Sequence, residues 1–215
     1  CPKSEIEEFE KKLGFKEFII IDETSILSFK EFENIFKDLS IVSGYKNKFK
    51  ERLGWYYQQI LKLSFILDFV TSKKENIIIW DADTILLKKI HFFKEKYSIK
   101  YGTLFEFHKH YYKTNEGIIG NHPSYYISSL VQFIGMTEFE GNFLMQSIKK
   151  INPIVSKENT SYYLSRIILK NIFKHHKMYN GSLFSEYELI GISNYILKKE
   201  KQRPIFTLRF GLDGK

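Results

Sequence analysis

The chain has 215 residues, 43% of them hydrophobic and 27% charged, with a formal net charge of +8. That balance excludes a disordered or fibrous chain and leaves length for a single domain, 1–215, with a real core. A lone cysteine, Cys1, excludes an internal disulfide or a thiolate metal cluster and fits a reducing, cytoplasmic setting.

Ser4-Glu5-Ile6-Glu7 has the form of a capping box and predicts a helix to about Leu13, stopped by Gly14. Phe18–Ile21 reads as a buried strand ending at Asp22. Asp22 is a loop aspartate or a contact to a ribose or base. Ser28, with Glu31 three residues on, caps a helix to about Leu39, and residues 40–50 form a loop. Arg52–Thr71 is a long helix, with Trp55 and Gln59 on one face and Gln58 and Lys62 on another. Ile77–Trp80 is apolar at every position, which predicts a strand covered on both faces, as in a parallel sheet. Asp81-Ala82-Asp83-Thr84 follows at once, and Ile90, Phe92 and Phe93 then pack back on the core. Tyr97–Phe107 reads as one or two strands, 109–123 as a loop, and Ile127–Met136 as a strand. Phe143–Ile151 is a helix stopped by Asn152-Pro153, Ser161–His175 is another, and Ile205–Phe210 is a short strand carrying Arg209.

The chemistry concentrates at Asp81 and Asp83. Open α/β sheets bind ligands at the carboxyl ends of their strands. Two carboxylates one residue apart repel each other unless a cation lies between them. A hard divalent ion, Mn²⁺ or Mg²⁺, completed by phosphate oxygens, answers that need. The plain alternative is an Asp-rich turn.

Trp80-Asp81-Ala82-Asp83-Thr84-Ile85-Leu86-Leu87-Lys88-Lys89-Ile90 resembles the D-x-D segment of GT-A-fold nucleotide-sugar glycosyltransferases. That resemblance implies a GT-A-like α/β fold, with a mainly parallel twisted sheet flanked by helices. It also implies that Asp81 and Asp83 hold Mn²⁺ or Mg²⁺ against the diphosphate of a sugar donor, a UDP-sugar favoured. The sugar would pass to a hydroxyl of a glycan or lipid-linked glycan. Arg52 with Gly54–Leu63 resembles an R-x-G-W-x-x-Q-Q-x-x-K-L element of bacterial surface-polysaccharide glycosyltransferases. By that likeness Arg52, Trp55, Gln58, Gln59 and Lys62 bind the donor, Arg52 and Lys62 at its phosphates. Phe184–Gly191 resembles the S-E-Y element of the same group, which implies Glu186, then Glu188, as the base that takes the acceptor proton. The same residues also read as Ser185 capping a helix with Glu188 at its third position. His108, His110, His122, His175 and His176 are candidates for a further metal ligand. The helix-first start resembles a GT-A domain entered after its first strand, and a Cys-Pro beginning implies residues upstream.

Two other readings stand beside this one. Asp81-Ala82-Asp83-Thr84 also matches the D-x-D-x-T of haloacid-dehalogenase-type phosphatases. Their downstream acidic pair has no counterpart here, where Asp213 is the only later Asp. The positive charge also suits a non-catalytic α/β protein with an anionic partner. The lysines are dispersed and no nucleic-acid motif is present, so a solvated basic surface comes first, and peripheral attraction to the inner face of a membrane carrying the acceptor second. Retaining glycosyltransferases share the D-x-D block but carry an H-F-x-G-x-x-K-P-W block that this chain lacks, so inversion is expected.

Overall fold

The computed structural model describes residues 2–13, 19–43, 52–81, 84–87, 89–103, 108–120, 129–130, 133–155, 159–175, 182–198 and 203–204. Within these the protein is mixed α/β and mostly helical, with short strands. Asp83, His122, His176, Arg209, Gly14 and the strand expected at Ile205–Phe210 lie outside the described residues.

Helix α1 (Ile6–Leu13) follows a 3-10 turn, Lys3–Glu5, so Ser4 sits inside that turn and caps nothing. Residues 19–22 form no strand. Asp22 instead opens a second 3-10 turn, Glu23–Ser25, by accepting from Thr24 N (2.9 Å) and Thr24 Oγ1 (2.8 Å). A side chain that captures nearby donors competes with strand pairing, and it gives Asp22 a local task. Helix α2 (Phe29–Val42) begins as expected, Ser28 Oγ accepting from Glu31 N at 3.2 Å, and runs three residues past Leu39. Helix α3 (Leu53–Lys73) buries Tyr56, Ile60, Leu63, Leu67 and Val70 and is apolar on most sides. A helix of that kind belongs inside a fold.

Strand β1 (Ile77–Trp80) has the expected bounds but another environment. It pairs antiparallel with β6 (Phe133–Met136), Ile77 opposite Met136 and Trp80 opposite Phe133. Ile79 is buried while Ile78 and Trp80 are partly open. Trp80 is covered by aromatic rings instead of a helix, with Phe92 and Phe133 centroids 6.1 and 5.7 Å away. The apolar run therefore reflects ring packing on one face, not burial on both. A hairpin joins β2 (Phe93–Lys94) to β3 (Tyr97–Ser98). Strand β4 (Tyr101–Thr103) pairs antiparallel with β5 (Ser129–Leu130) and parallel with β7 (Arg203–Pro204). Among the described residues the expected mainly parallel sheet is not seen, since only β4–β7 is parallel. The strand expected over 127–136 is likewise divided, β5 and β6 joining different sheets.

Residues 109–119, expected as loop, are helix α4 (Lys109–Ile119). Tyr111, Tyr112, Asn115, Ile118 and Ile119 are buried at helical spacing, and that burial outweighs Gly117. Gly120 ends the helix with φ +87, a conformation suited to glycine. Helix α5 (Glu138–Ile151) starts five residues earlier than Phe143 because Thr137 and Glu140 form a capping box. Helix α6 (Thr160–His175) and helix α7 (Glu186–Lys198) complete the set. Helix α3 packs on α5, α6 and α7, and α4 and α5 also pack on α7. Every residue of α7 from Glu186 to Tyr195 is buried. Among the described residues no helix is long and apolar enough to cross a membrane.

Gly141 marks the closest approach of α5 to α3. A Cβ there would lie 2.2 Å from Val70 Cγ2 and 3.3 Å from the Met136 sulfur. A β-branched valine in a helix has little freedom to yield. Gly141→Ala should therefore lower stability by about 1–2 kcal/mol despite alanine's better helix propensity. A thermal melt checks this, with a fall in Tm of roughly 2–8 °C expected for a chain of this size.

A buried polar group ties β3 and β6 to α5 and α7, with Lys100 joining it from just before β4. Glu140 Oε2 accepts from Ser98 Oγ (2.5 Å) and Thr137 N (3.0 Å), and Oε1 from Ser98 N (2.9 Å) and Asn194 Nδ2. Lys100 Nζ donates to Ser98 Oγ (2.6 Å) and Gly135 O (2.5 Å) and lies 3.6 Å from Glu140 Oε2. Burial pushes the Lys100 ammonium down to about 8; Glu140 opposes that and Lys198 adds to it. A lysine whose folded pKa lies below its unfolded value contributes stability that is full above the unfolded value and is lost as pH falls through the folded one. Stability should thus rise between about pH 8 and pH 10. Urea melts at pH 7.5 and 9.5 check this: the wild-type midpoint should rise, and Lys100→Met should flatten the rise.

Candidate functional site

Three segments far apart in the chain meet at the end of β1. Helix α3 brings Lys62 and Gln59, β1 delivers Asp81, and the first turn of α7 presents Glu186 and Tyr187. Asp81 follows directly on Trp80, and a turn begins there, Thr84 N–H donating to Asp81 O at 3.0 Å. The Trp80 indole nitrogen donates to Thr84 O at 2.7 Å, which fixes the chain on leaving the strand.

Lys62 Nζ is 2.9 Å from Asp81 Oδ1 and 2.5 Å from Glu186 Oε1. Tyr187 Oη donates to the same Asp81 oxygen at 2.9 Å. The Tyr187 ring centroid is 4.8 Å from Lys62 Nζ, a cation–π contact. With its amide nitrogen turned toward them, Gln59 donates to Glu186 Oε2 and to Phe184 O, both at 3.1 Å. An ammonium therefore stands between two carboxylates, and neutral donors hold those carboxylates from the other side.

Exposure differs sharply across the group. The side chain of Glu186 is 2% accessible, those of Lys62 and Asp81 23% and 27%. Asp81 and Lys62 form the rim and Glu186 the floor. Burial pushes the Glu186 carboxyl above the usual carboxylate range, Lys62 offsets part of this, and the nearby Asp81 charge adds to it. Burial pulls the Lys62 ammonium down, but the Glu186 charge and the hydrogen bonds to Glu186 and Asp81 more than reverse this, leaving it above the ordinary lysine value. The floor is thus a carboxyl made unusually basic beside a lysine kept protonated.

The other expected residues are distributed as follows. Ser185 Oγ does accept from Glu188 N, at 3.4 Å, so the helix-cap reading holds together with the site. Glu188 is buried on α7. Two residues further round the helix, it is directed away from Glu186's side. Trp55 packs under Arg52, whose guanidinium carbon is 6.0 Å from the ring centroid. Arg52 and Gln58 are exposed, and among the described residues no contact joins them to Asp81. Gln59, not Gln58, shares the working face of α3 with Lys62, because an i, i+3 pair both reach α7. His108 stacks on Tyr111 at 5.0 Å, while His110 and His175 belong to α4 and α6. Among the described residues no group of three metal-ligating side chains forms. Tyr187 was missed in the sequence. The available signal was its place beside Glu186 in the first turn of a helix.

The donor set suits a hard cation in one respect. Asp81 and Glu186 offer carboxylate oxygens, the kind of donor such an ion takes, but the Lys62 ammonium already fills the place between them. No protein-family model matches this chain, and neither a curated protein nor a solved structure matches it.

Proposed function

We propose that the protein is a metal-dependent glycosyltransferase of GT-A-like architecture. It would move a sugar from a nucleoside diphosphate, UDP favoured, to a hydroxyl of a glycan in surface-polysaccharide synthesis. One observation supports this above the rest: Lys62, Asp81 and Glu186 come from the three stretches that resemble such enzymes, and both carboxylates lie within hydrogen-bond reach of the Lys62 ammonium.

The residues divide the work by exposure. Asp81, with Asp83 beside it in sequence, would hold Mn²⁺ or Mg²⁺ at the rim. When bound, the ion offsets the charge that grows on the departing diphosphate. Lys62 and Arg52 supply positive charge to the donor phosphates, Lys62 from the rim and Arg52 from the open start of α3. Gln59 and Tyr187 fix the angle of Glu186 and Asp81. Glu186 accepts the acceptor hydroxyl's proton, a task suited to a carboxyl raised by burial. The dispersed basic surface suits a peripheral approach to an anionic membrane presenting a lipid-linked acceptor.

The test is nucleotide release from a panel of UDP-, GDP- and CMP-sugars with glycan acceptors, with and without Mn²⁺. Metal-dependent release of a nucleoside diphosphate supports the reading. Phosphate release from p-nitrophenyl phosphate, abolished by Asp81→Asn and with no sugar transfer, supports a phosphatase. Salt-dependent binding of DNA or RNA with no response to any nucleotide sugar means a binding protein.

A further inference from the structure

The chain leaves β1 through a loop whose two ends are fastened to one side chain. At its start the Trp80 indole nitrogen donates to Thr84 O at 2.7 Å. At its end Phe92 returns to the Trp80 ring, centroids 6.1 Å apart, and both rings rest on Phe133 of β6. A loop with its ends held together over a packed base projects from the surface. Beyond the first anchor the side chains alternate. Leu86 is half-buried, while Ile85 and Leu87 on either side of it are 81% and 79% exposed. Two branched aliphatic side chains held open to water forgo the burial that would stabilise the fold.

Charge follows this apolar tip. Residues 84–98 carry Lys88, Lys89, Lys94 and Lys96 against one acid, Glu95. Lys89, Lys94 and Lys96 are exposed. The tip is too small for a stable protein interface, which takes about 800 Å² from each partner. An apolar point followed by ammonium groups matches a different surface, acyl chains beneath a layer of anionic headgroups. Trp80, partly open at the base of the loop, is the kind of amphipathic ring that gathers at the boundary between the two.

We infer that Ile85 and Leu87 are a docking tip for an anionic lipid bilayer, entering its acyl boundary while Lys89, Lys94 and Lys96 meet the headgroup phosphates. The docking stands on this surface alone; its bearing on the site rests on the glycosyl-transfer reading above. Ile85 is four residues beyond Asp81, so docking holds the rim of the Lys62–Asp81–Glu186 group at the bilayer surface. A lipid-linked acceptor then reaches Glu186 by diffusing in the plane of the membrane.

The test is co-flotation of the full chain with vesicles of phosphatidylcholine alone, or of phosphatidylcholine with about one part in four phosphatidylglycerol. Wild type should partition at least about tenfold more strongly to the anionic vesicles, and added salt should weaken this. Ile85→Ser with Leu87→Ser should lower the partition coefficient about tenfold or more. Lys89→Glu should lower it roughly fivefold or more on the anionic vesicles. Both serines replace exposed side chains, so the Tm of that variant should match wild type. Ile41→Ser with Val42→Ser, a pair equally exposed at the end of α2, should leave partitioning within about twofold of wild type. A variant at 85 and 87 that floats like wild type, or wild type that floats with neither set of vesicles, overturns the docking tip. So does a wild-type dimer that the same double substitution abolishes without any vesicle binding, which makes the tip a contact between copies. Turnover of a nucleotide sugar with a soluble acceptor in those cases leaves the reading above intact. Vesicle binding with no turnover of any nucleotide sugar leaves the docking tip standing and removes that reading alone.

Discussion

Asp81→Asn should abolish metal-dependent binding of the donor and lower turnover by roughly 10²–10³-fold. The substitution keeps shape and leaves an oxygen to accept from Tyr187 and Lys62. It removes the negative charge that a divalent ion needs. Asp81 is partly open, so its loss should cost the fold little, within about 1 kcal/mol. Activity and stability thus separate cleanly. Nucleoside diphosphate release and a thermal melt on the same preparation measure the two. A variant with full Mn²⁺-dependent turnover would remove Asp81 from the site.

Glu186→Gln should lower kcat by about 10²–10⁴-fold while leaving the donor KM near wild type. The amide fills the same space, and its one carbonyl oxygen can still accept from Lys62, but it takes up no proton. Its effect on stability has the opposite sign to its effect on rate. Burial raises the Glu186 carboxyl, so the folded protein holds that proton to higher pH than the unfolded chain. Such a group contributes its stability below the unfolded pKa, about 4.3, and loses it as pH rises through the folded value. A charged carboxylate at that depth is therefore a cost, and glutamine removes it. The variant's Tm at pH 7.5 should match or exceed that of wild type, and the advantage should fade toward pH 4. Parallel melts at the two pH values, alongside steady-state kinetics, would expose a merely structural glutamate by a lower Tm at pH 7.5.

Local patterns were legible in the sequence where burial and backbone agreed. Ser28 and Glu31 marked the start of α2, and Ile77–Trp80 marked β1 to the residue. Residues 109–119 read as loop because Gly117 and Gly120 signal a turn more loudly than the buried face from Tyr111 to Ile119 signals a helix. The apolar run at β1 suggested a parallel strand because sequence cannot separate cover by a helix from cover by rings such as Phe92 and Phe133. At the site, residue types were legible and contacts were not. Lys62, Asp81 and Glu186 carried chemical meaning one by one. Their convergence depends on how α3 and α7 flank β1, which no local spacing encodes. Gln59 supplanted Gln58, and Tyr187 emerged, for the same reason: the face a helix turns inward is set by its neighbours.

Sugar transfer as proposed requires a divalent ion joining Asp81 to a donor diphosphate. Thermal-shift titration of wild type and Asp81→Asn with UDP-, GDP- and CMP-sugars, each with and without Mn²⁺, tests this most directly. Wild-type Tm should rise only when Mn²⁺ and a nucleoside-diphosphate sugar are both present, and the rise should be lost in Asp81→Asn. A rise produced by CMP-sugars alone without metal, or one that survives intact in Asp81→Asn, would contradict it.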